Sequence, residues 1–280
     1  MDSKCDNPRC PSTSPSKLSA CSGCSAVKYC SKECQLASWP SHRQACKLYP
    51  PPSLSGIRVR PVAHHEGNFM KILAIEIEHV HGEKTVHVGS VKIQVIDTES
   101  FDEGFFECLD EYSRDLAMLA LHFDPMGRLR PNSGCWQPAD FLDERFLVYL
   151  QEIVIVEAWR GKGLGTWLLP KLFYLDGLNG AQYIFTWPTV LNFLEPIGIN
   201  GPFGARTLAE QDAWLAKRDR IIGFHRRIGF RRLANGHFFC LAKNSSHPSH
   251  SVPIEEDAPF EELPPPETED EALRRQLANH

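Results

Sequence analysis

Strand-like alternation of apolar and polar residues marks the first part of the central region of the chain. In ILAIEIEHV (72–80) isoleucines alternate with glutamates, and in TVHVGSVKIQVI (85–96) the alternation changes parity at Gly89, as a β-bulge would make it do. The HGE turn between these segments predicts an antiparallel hairpin. RFLVYLQEIVIV (145–156) is apolar on both parities, which predicts a buried central strand.

Helical spacing of apolar residues follows in three segments of the same region. A helix is predicted from Ser100 to residue 123, with Glu103 completing a capping box. Another is predicted over residues 164–175, where Pro170 should kink or shorten it, and a third over residues 209–230. Two more strands are predicted, at 181–190 and 237–243. Strands and helices in this order predict an α+β (α/β-like) fold with a mixed sheet flanked by helices.

Composition divides the 280 residues into four segments. Residues 1–49 hold seven of the ten cysteines and predict a small separate domain. Residues 50–55 (PPPSLS) predict a short stiff linker, because proline holds the chain extended. Residues 56–243 carry the predicted strands and helices. Residues 244–280 contain too few apolar groups to offset the entropy of ordering, so they predict an acidic disordered tail.

Charge and hydropathy exclude several classes of protein. The formal net charge is −5, and the last thirty residues carry nine carboxylates against two arginines, which leaves the rest of the chain at +2. So weak a positive balance argues against direct nucleic-acid binding. No apolar run approaches the ~20 residues of a membrane span, and the polar N-terminus lacks the pattern of a secretory signal. We therefore expect a nuclear or cytoplasmic protein whose thiols stay reduced.

Paired potential metal ligands fill the N-terminal segment. The pairs are Cys5 and Cys10, Cys21 and Cys24, Cys30 and Cys34, and His42 and Cys46. Zinc binds four such ligands tetrahedrally, and the C-x3-C and H-x3-C pairs each supply two from one helix face. Eight ligands imply two structural zinc ions with no position open for water. Disulfides or unrelated free thiols are the alternatives, which the paired spacing in a reducing compartment disfavours. The other cysteines, Cys108, Cys135 and Cys240, are expected to be ordinary buried residues.

The segment YCSKECQLASWPSHRQAC (29–46) resembles a MYND-type zinc finger, with its Tyr-Cys, Gln-x3-Trp and His-x3-Cys spacing. The resemblance implies cross-braced pairing, with one zinc held by Cys5, Cys10, Cys30 and Cys34 and the other by Cys21, Cys24, His42 and Cys46. The first pair is C-x4-C, where the family usually has C-x2-C. Fingers of this family bind short proline-containing peptides, so the resemblance implies a partner protein that carries one.

Three glycines follow the predicted central strand in VEAWRGKGLGTWLL (156–169). Glycine loops between a strand and a helix commonly bind phosphate, because main-chain N–H groups can converge on it. A P-loop requires Ser or Thr after Gly-Lys, but Gly163 follows Lys162. A Rossmann loop requires a glycine where Thr166 stands. A plain strand–helix turn is the remaining alternative from the residues alone.

Arg160 to Gly165 satisfies the pattern [Q/R]-x-x-G-x-[G/A], and this region is similar to GNAT-type N-acetyltransferases. FHRRIGFRRL (224–233) resembles that family's Phe-Tyr-x-x-x-Gly-Phe segment, and both matches occur in the family's order. The resemblance implies a mostly antiparallel GNAT-type sheet, acetyl-CoA as cofactor, and transfer of acetyl to an amine on a protein or a small molecule. The residues it implies for cofactor binding are Ile153, Val154, Ile155, Arg160, Gly161, Lys162, Gly163, Leu164, Gly165 and Thr166.

Acid–base candidates for such a transfer come from the strand and from the second motif. Glu152 is the first candidate for the base and Glu157 the second; a solvated strand residue is the alternative for Glu152. His225 occupies the position of the tyrosine that usually acts as the general acid in this family. It is therefore expected to be either the acid or a residue of the helix surface. Two functions stay open: an N-acetyltransferase with a zinc finger for partner binding, and a non-catalytic adaptor whose GNAT-like domain binds CoA or partners.

Overall fold

A computed structural model of the protein describes residues 5–11, 18–21, 27–48, 52–101, 104–178, 180–191 and 207–260. Among these residues, no helix is both long enough and apolar enough to cross a membrane. The chain forms a cysteine-rich N-terminal unit and a larger domain built on one sheet. The predicted mixed α+β architecture is confirmed.

The N-terminal unit is a short hairpin followed by a helix. Strands β1 (Ser19–Ala20) and β2 (Lys28–Tyr29) pair antiparallel, and helix α1 spans Lys32–Leu48. Ser31 precedes this helix and its Oγ accepts a hydrogen bond from the Cys34 N–H at 3.2 Å, which satisfies a main-chain donor of the first turn. The helix thereby begins at Lys32, two residues after Cys30, and carries the later ligand candidates on its turns.

Seven strands form the sheet of the larger domain, in the order β3-β4-β5-β6-β7-β9-β8. They span Ile57–Glu66 (β3), Met70–His81 (β4), Lys84–Asp97 (β5), Phe146–Ile155 (β6), Tyr183–Thr186 (β7), Arg231–Arg232 (β8) and Phe239–Ala242 (β9). All neighbouring pairs are antiparallel except β6 and β7. The sequence patterns predict β4 to β7 and β9, but neither β3 nor the two-residue β8. In β3, Pro61 and a histidine pair interrupt the alternation. Proline is tolerated there because β3 lies at the edge of the sheet.

Two bulges reverse the alternation of side chains within the sheet. In β5 the register shifts between the pairs Ile77–Gly89 and Glu78–His87, so Val88 is the extra residue, next to the predicted parity change. A Cβ on Gly89 would collide with the Val154 carbonyl oxygen of β6. In β6 the register shifts between residues 150 and 152, so Gln151 is the extra residue.

Helices cover both faces of the sheet. Helices α2 (Phe105–Asp110) and α3 (Arg114–Ala120) pack on one face. Helices α4 (Leu164–Leu168) and α5 (Leu208–Ile228) pack on the other. The single helix predicted from Ser100 to residue 123 is therefore corrected to two, because Ser113 caps α3 by accepting from the Leu116 N–H; Glu103 lies outside the described residues. The helix predicted over 164–175 ends at Leu168, and a 3-10 turn over Leu169–Tyr174 takes in Pro170.

Packing at both ends of the domain changes the predicted boundaries. Leu54, expected in the linker, is 1% exposed and belongs to the core. Residues 244–260, expected to be disordered, instead pack along β8 as a segment called here the C-terminal strap. Its Val252 carbonyl accepts from the Arg231 guanidinium, at 2.9 Å from Nε, and its Asp257 carboxylate binds Arg226 at 2.7 Å. Hydrogen bonds to the buried Arg231 and an ion pair with the half-buried Arg226 thus order a segment that is poor in apolar residues.

Candidate functional sites

Four cysteine sulfurs converge in a first group of the N-terminal unit. Cys5, Cys10, Cys30 and Cys34 place their Sγ atoms within 4.8 Å of one another. Cys30 lies between two of them, 3.4 Å from Cys10 and 3.5 Å from Cys34, measured between sulfurs. The edge of a tetrahedron with ~2.3 Å zinc–sulfur bonds is about 3.8 Å. The group has the size and the donor set of a structural zinc site.

A second group contains two sulfurs and one imidazole. Cys21, His42 and Cys46 are all buried and their ligand atoms also lie within 4.8 Å of one another, with 3.7 Å between the two sulfurs. Cys24, the expected fourth ligand, lies outside the described residues. The rings of Tyr29 and Trp39 stand edge-on to the His42 ring, at 6.1 and 5.9 Å between centroids. These aromatic contacts restrict the orientation of the imidazole.

Asn7 accommodates the two extra residues of the first cysteine pair. The Cys10 N–H donates to the Asn7 carbonyl and the Arg9 N–H donates to Asn7 Oδ1, both at 3.0 Å, so the chain turns back and returns Cys10 to Cys5. A hydrogen bond from the Asn7 side chain is also the largest cause that lowers the pKa of Cys34 to about 7. Sequence reasoning missed Asn7, although the Asn7-Pro8 dipeptide is a turn signal.

In the larger domain, the two parallel strands separate after a short contact. Strand β6 pairs with β7 only through residues 148–150, opposite residues 184–186. Thr186 ends β7, and its Oγ1 donates to the Leu150 carbonyl at 3.0 Å. Residues 151–155 of β6 continue alone: they pair with β5 on one side, and no described strand pairs with them on the other. Beyond the bulge at Gln151, this edge of β6 therefore has no strand partner among the described residues.

The glycine loop lies directly beyond this free edge. A 3-10 turn over Glu157–Trp159 follows β6, Gly161 and Gly163 have φ angles of +71° and +82°, and α4 begins without a side-chain cap. Within the part of the chain that the structure describes, the amides of residues 161–166 have no hydrogen-bond acceptor. They are available to an anion, and the left-handed conformations explain two of the three glycines.

Two of the residues expected to contact phosphate have other roles in the loop. The Arg160 N–H donates to the Glu157 carbonyl at 3.0 Å, so this amide is not available to a ligand as predicted. A Cβ on Gly165 would lie 2.7 Å from Phe224 Cζ, so this glycine is needed for the packing of α4 against α5. The Lys162 ammonium lies 5.1 Å from the centroid of the Trp159 ring, which itself contacts the His79 ring at 4.8 Å.

Glu152 is half-buried on the free part of β6 and lies opposite Lys92 of β5. Because the bulge reverses the alternation, Ile153 and Ile155 join the same core as Leu150, so Glu152 points to the opposite face of the sheet. There it can reach a water or an amine that enters from the side of α2 and α3. Glu157 lies farther along, exposed in the 3-10 turn.

His225 lies within the core, which corrects the expectation that it belongs to the helix surface. It is 3% exposed and its ring stands between Phe224 and Phe230, with both centroids at 5.2 Å. Its Nδ1 lies 2.9 Å from the Ile221 carbonyl, which can only accept, so Nδ1 carries the proton. Burial lowers the pKa of His225 to about 4, and its buried Nε2 has no partner among the described residues. In this arrangement the ring is neutral and its Nδ1 proton is held by the Ile221 carbonyl.

Comparisons with known proteins identify the N-terminal unit. The family model described as "zf-MYND: MYND finger" matches residues 3–46. Histone-lysine N-methyltransferase SMYD3 of Homo sapiens is 44% identical over 45 residues, which cover 14% of this chain and 10% of that protein. The chain thus spans about a tenth of the length of this curated relative, and no solved structure matches the chain. Residues 3–46 form a MYND-type zinc finger that binds zinc.

Proposed function

We propose that the larger domain is an acetyl-CoA-dependent N-acetyltransferase that transfers acetyl to an amine, and that the finger recruits a partner protein. The carrying observation is the free edge of β6 at residues 151–155, which leads directly into amides 161–166 that have no acceptor in the described chain. A flexible amide-containing arm can pair with such an edge as an added strand. Main-chain amides without acceptors at the start of a helix can bind a pyrophosphate. The single parallel pair in an otherwise antiparallel sheet supports the GNAT-type resemblance.

The residues present fit acetyl-CoA, because the loop offers main-chain N–H groups that have no acceptor among the described residues. Gly161 to Thr166 would hold the diphosphate, and the main chain of residues 153–155 would hold the pantetheine. When bound, the cofactor supplies an activated acetyl thioester. The protein has to orient this group, polarise its carbonyl with a main-chain N–H of the β6 edge, and keep the amine neutral.

Glu152 carries the proposed proton transfer. Glu152 is half-buried in the unpaired part of β6, and we propose that its carboxylate accepts the proton of an incoming ammonium through one water molecule. Glu157, exposed beyond the end of β6, is the second candidate. Since His225 holds its proton against the Ile221 carbonyl, we propose that the departing thiolate takes its proton from solvent.

The finger is proposed to hold two structural zinc ions and to bind a proline-containing peptide. The first site is the four-cysteine group, and the second is the group of Cys21, His42 and Cys46, completed by Cys24. All these ligands require reduced thiols, so a nuclear or cytoplasmic location follows from the proposal. The name of SMYD3 refers to methyl transfer, but the aligned 45 residues cover only the finger, so that activity is not carried over to the larger domain.

One observation favours a second candidate function. Because the proton of His225 is held by the Ile221 carbonyl, the domain could retain cofactor binding without turnover and serve as a zinc-finger adaptor. The two functions differ in thiol release: both bind acetyl-CoA, but only the enzyme releases CoA when an amine acceptor is present.

The test is calorimetric titration with acetyl-CoA, followed by a thiol-release assay over a panel of protein and small-molecule amines. Gly161→Ala and Gly163→Ala add a methyl group that meets no protein atom within 4 Å, at positions where φ is positive. Gly82→Ala is the matched control, since it has φ +59° and equally open space in the β4–β5 turn. We expect both loop variants, but not Gly82→Ala, to lose cofactor affinity. Wild-type protein without measurable acetyl-CoA binding would refute the proposal.

A further inference from the structure

Arg160 contacts the end of β6 through its side chain. Its Nε donates a hydrogen bond to the main-chain carbonyl of Ile155, at 2.8 Å, and Ile155 is the last residue of the strand. Its main-chain N–H donates to Glu157. The Nε and the main-chain N–H of Arg160 therefore both bind the segment that precedes it, and they close residues 155–160 into one hydrogen-bonded turn.

Among the described residues, the end of β6 is otherwise attached on one side only. Towards β5, Ile155 pairs with Gly89 and the Val156 N–H donates to the Val88 carbonyl at 2.9 Å. On the other side lies the free edge described above. A strand end held on a single side opens readily, so the contact with Arg160 supplies a second attachment where an added ligand strand would need a fixed register.

The other cation of the loop makes no such contact. Lys162 is exposed, and its described interaction is with the Trp159 ring. The two loop cations are therefore distinguishable: the Arg160 side chain is tied to the main chain of the strand, and the Lys162 side chain is not.

We infer that Arg160 is a positioning residue, which fixes the free edge of β6 through the Nε–Ile155 hydrogen bond and so sets where the pantetheine arm binds. This role is distinct from a phosphate ligand, because it contributes equally to ligands that lack phosphate. The inference rests on the proposed cofactor. The hydrogen bond from Arg160 Nε to the Ile155 carbonyl, called here the brace, exists without it.

Two substitutions at this one position separate the brace from the charge. Glutamine carries an N–H donor at the same number of bonds from Cα as the Nε of arginine, so Arg160→Gln can keep the brace and loses the charge. Lysine has a methylene group at that place, so Arg160→Lys keeps the charge and loses the brace. Because the side chain is exposed, neither variant should lower the melting temperature of the full-length protein, which serves as the folding control.

The experiment measures the affinity of each variant for acetyl-CoA and for acetyl-pantetheine, which has no phosphate group. One hydrogen bond corresponds to about fivefold in affinity, so we expect Arg160→Lys to weaken both ligands by about that factor. Arg160→Gln should retain the affinity for acetyl-pantetheine. Any loss of its affinity for acetyl-CoA should come from the missing positive charge. Arg160→Lys that binds both ligands like wild type would overturn the inference.

Hydrogen exchange of the ligand-free protein supplies a readout that does not depend on the cofactor. We expect the peptide covering residues 151–156 to exchange faster in Arg160→Lys than in wild type, and unchanged in Arg160→Gln. Equal exchange in all three proteins would overturn the brace. If wild-type protein binds neither ligand, the proposed function fails, and with it the ligand-positioning role, whereas the exchange data still decide whether the brace exists.

Discussion

Asp257 of the C-terminal strap forms the best-buried ion pair among the described residues, and its neutralisation should destabilise the larger domain. Its side chain is 2% exposed. Oδ2 lies 2.7 Å from Arg226 Nε, and Oδ1 accepts from the main-chain N–H groups of Arg232 and Ala258, at 2.9 and 3.1 Å. Asp257→Asn can keep its carbonyl oxygen on the two main-chain donors. Its amide group then faces the Nε–H of Arg226, donor against donor.

The expected loss follows from what Arg226 loses. Breaking a buried pair typically costs ~3–5 kcal/mol, and because the Arg226 side chain keeps 21% of its exposure, we expect about 2–3 kcal/mol. For a domain of this size that corresponds to a decrease in Tm of about 5–10 °C. Thermal unfolding followed by circular dichroism, with urea titration of the same samples, measures both quantities.

Asp219→Asn is the matched control for this substitution. Asp219 lies 2.8 Å from Arg218, nearly the same distance, but its side chain is 64% exposed. Exposed pairs contribute ~0–1 kcal/mol, so Tm should change by less than ~4 °C. If the two variants unfold at the same temperature, the strap does not stabilise the domain as argued, and residues 244–260 would have to be regarded as a loosely attached tail.

Three further outcomes test the other sites. A strong chelator should unfold residues 3–46 and spare the larger domain. The Asn7→Ala variant should lose zinc at a lower chelator concentration than wild type. Metal analysis that gives fewer than two zinc ions per chain would contradict the two-site assignment. His225→Phe should leave turnover within about twofold. It should also flatten the loss of stability between pH 6.5 and about 4 by on the order of 3 kcal/mol, because the unfolded chain takes up a proton there and the buried imidazole does not. Glu152→Gln should lower turnover ~10²-fold without weakening acetyl-CoA binding, and a loss confined to Glu157→Gln would move the base to that residue.

Local sequence determined the elements whose signals lie within one or two turns of chain. Ligand spacing defines the finger, since a tetrahedral ion accepts only certain short separations. Alternation of apolar and polar residues indicates β4 and β5. The polar pair Gln151 and Glu152, within an otherwise apolar strand, coincides with the bulge in β6. Glycines at positive φ mark the loop, because other residues are strained there. Each of these features depends on the residues themselves and on their immediate neighbours.

Tertiary contacts decided the remainder. His225 stands at a helical position that is compatible with the surface, and only packing between Phe224 and Phe230 makes it a buried neutral ring. The composition of residues 244–260 predicts disorder, yet Asp257 forms an ion pair with Arg226, which lies 31 positions earlier in the chain. The hydrogen-bond partner of the Arg160 side chain depends on where β6 ends. Burial and long-range hydrogen bonds are set by segments far apart in the chain, so periodicity and composition cannot report them.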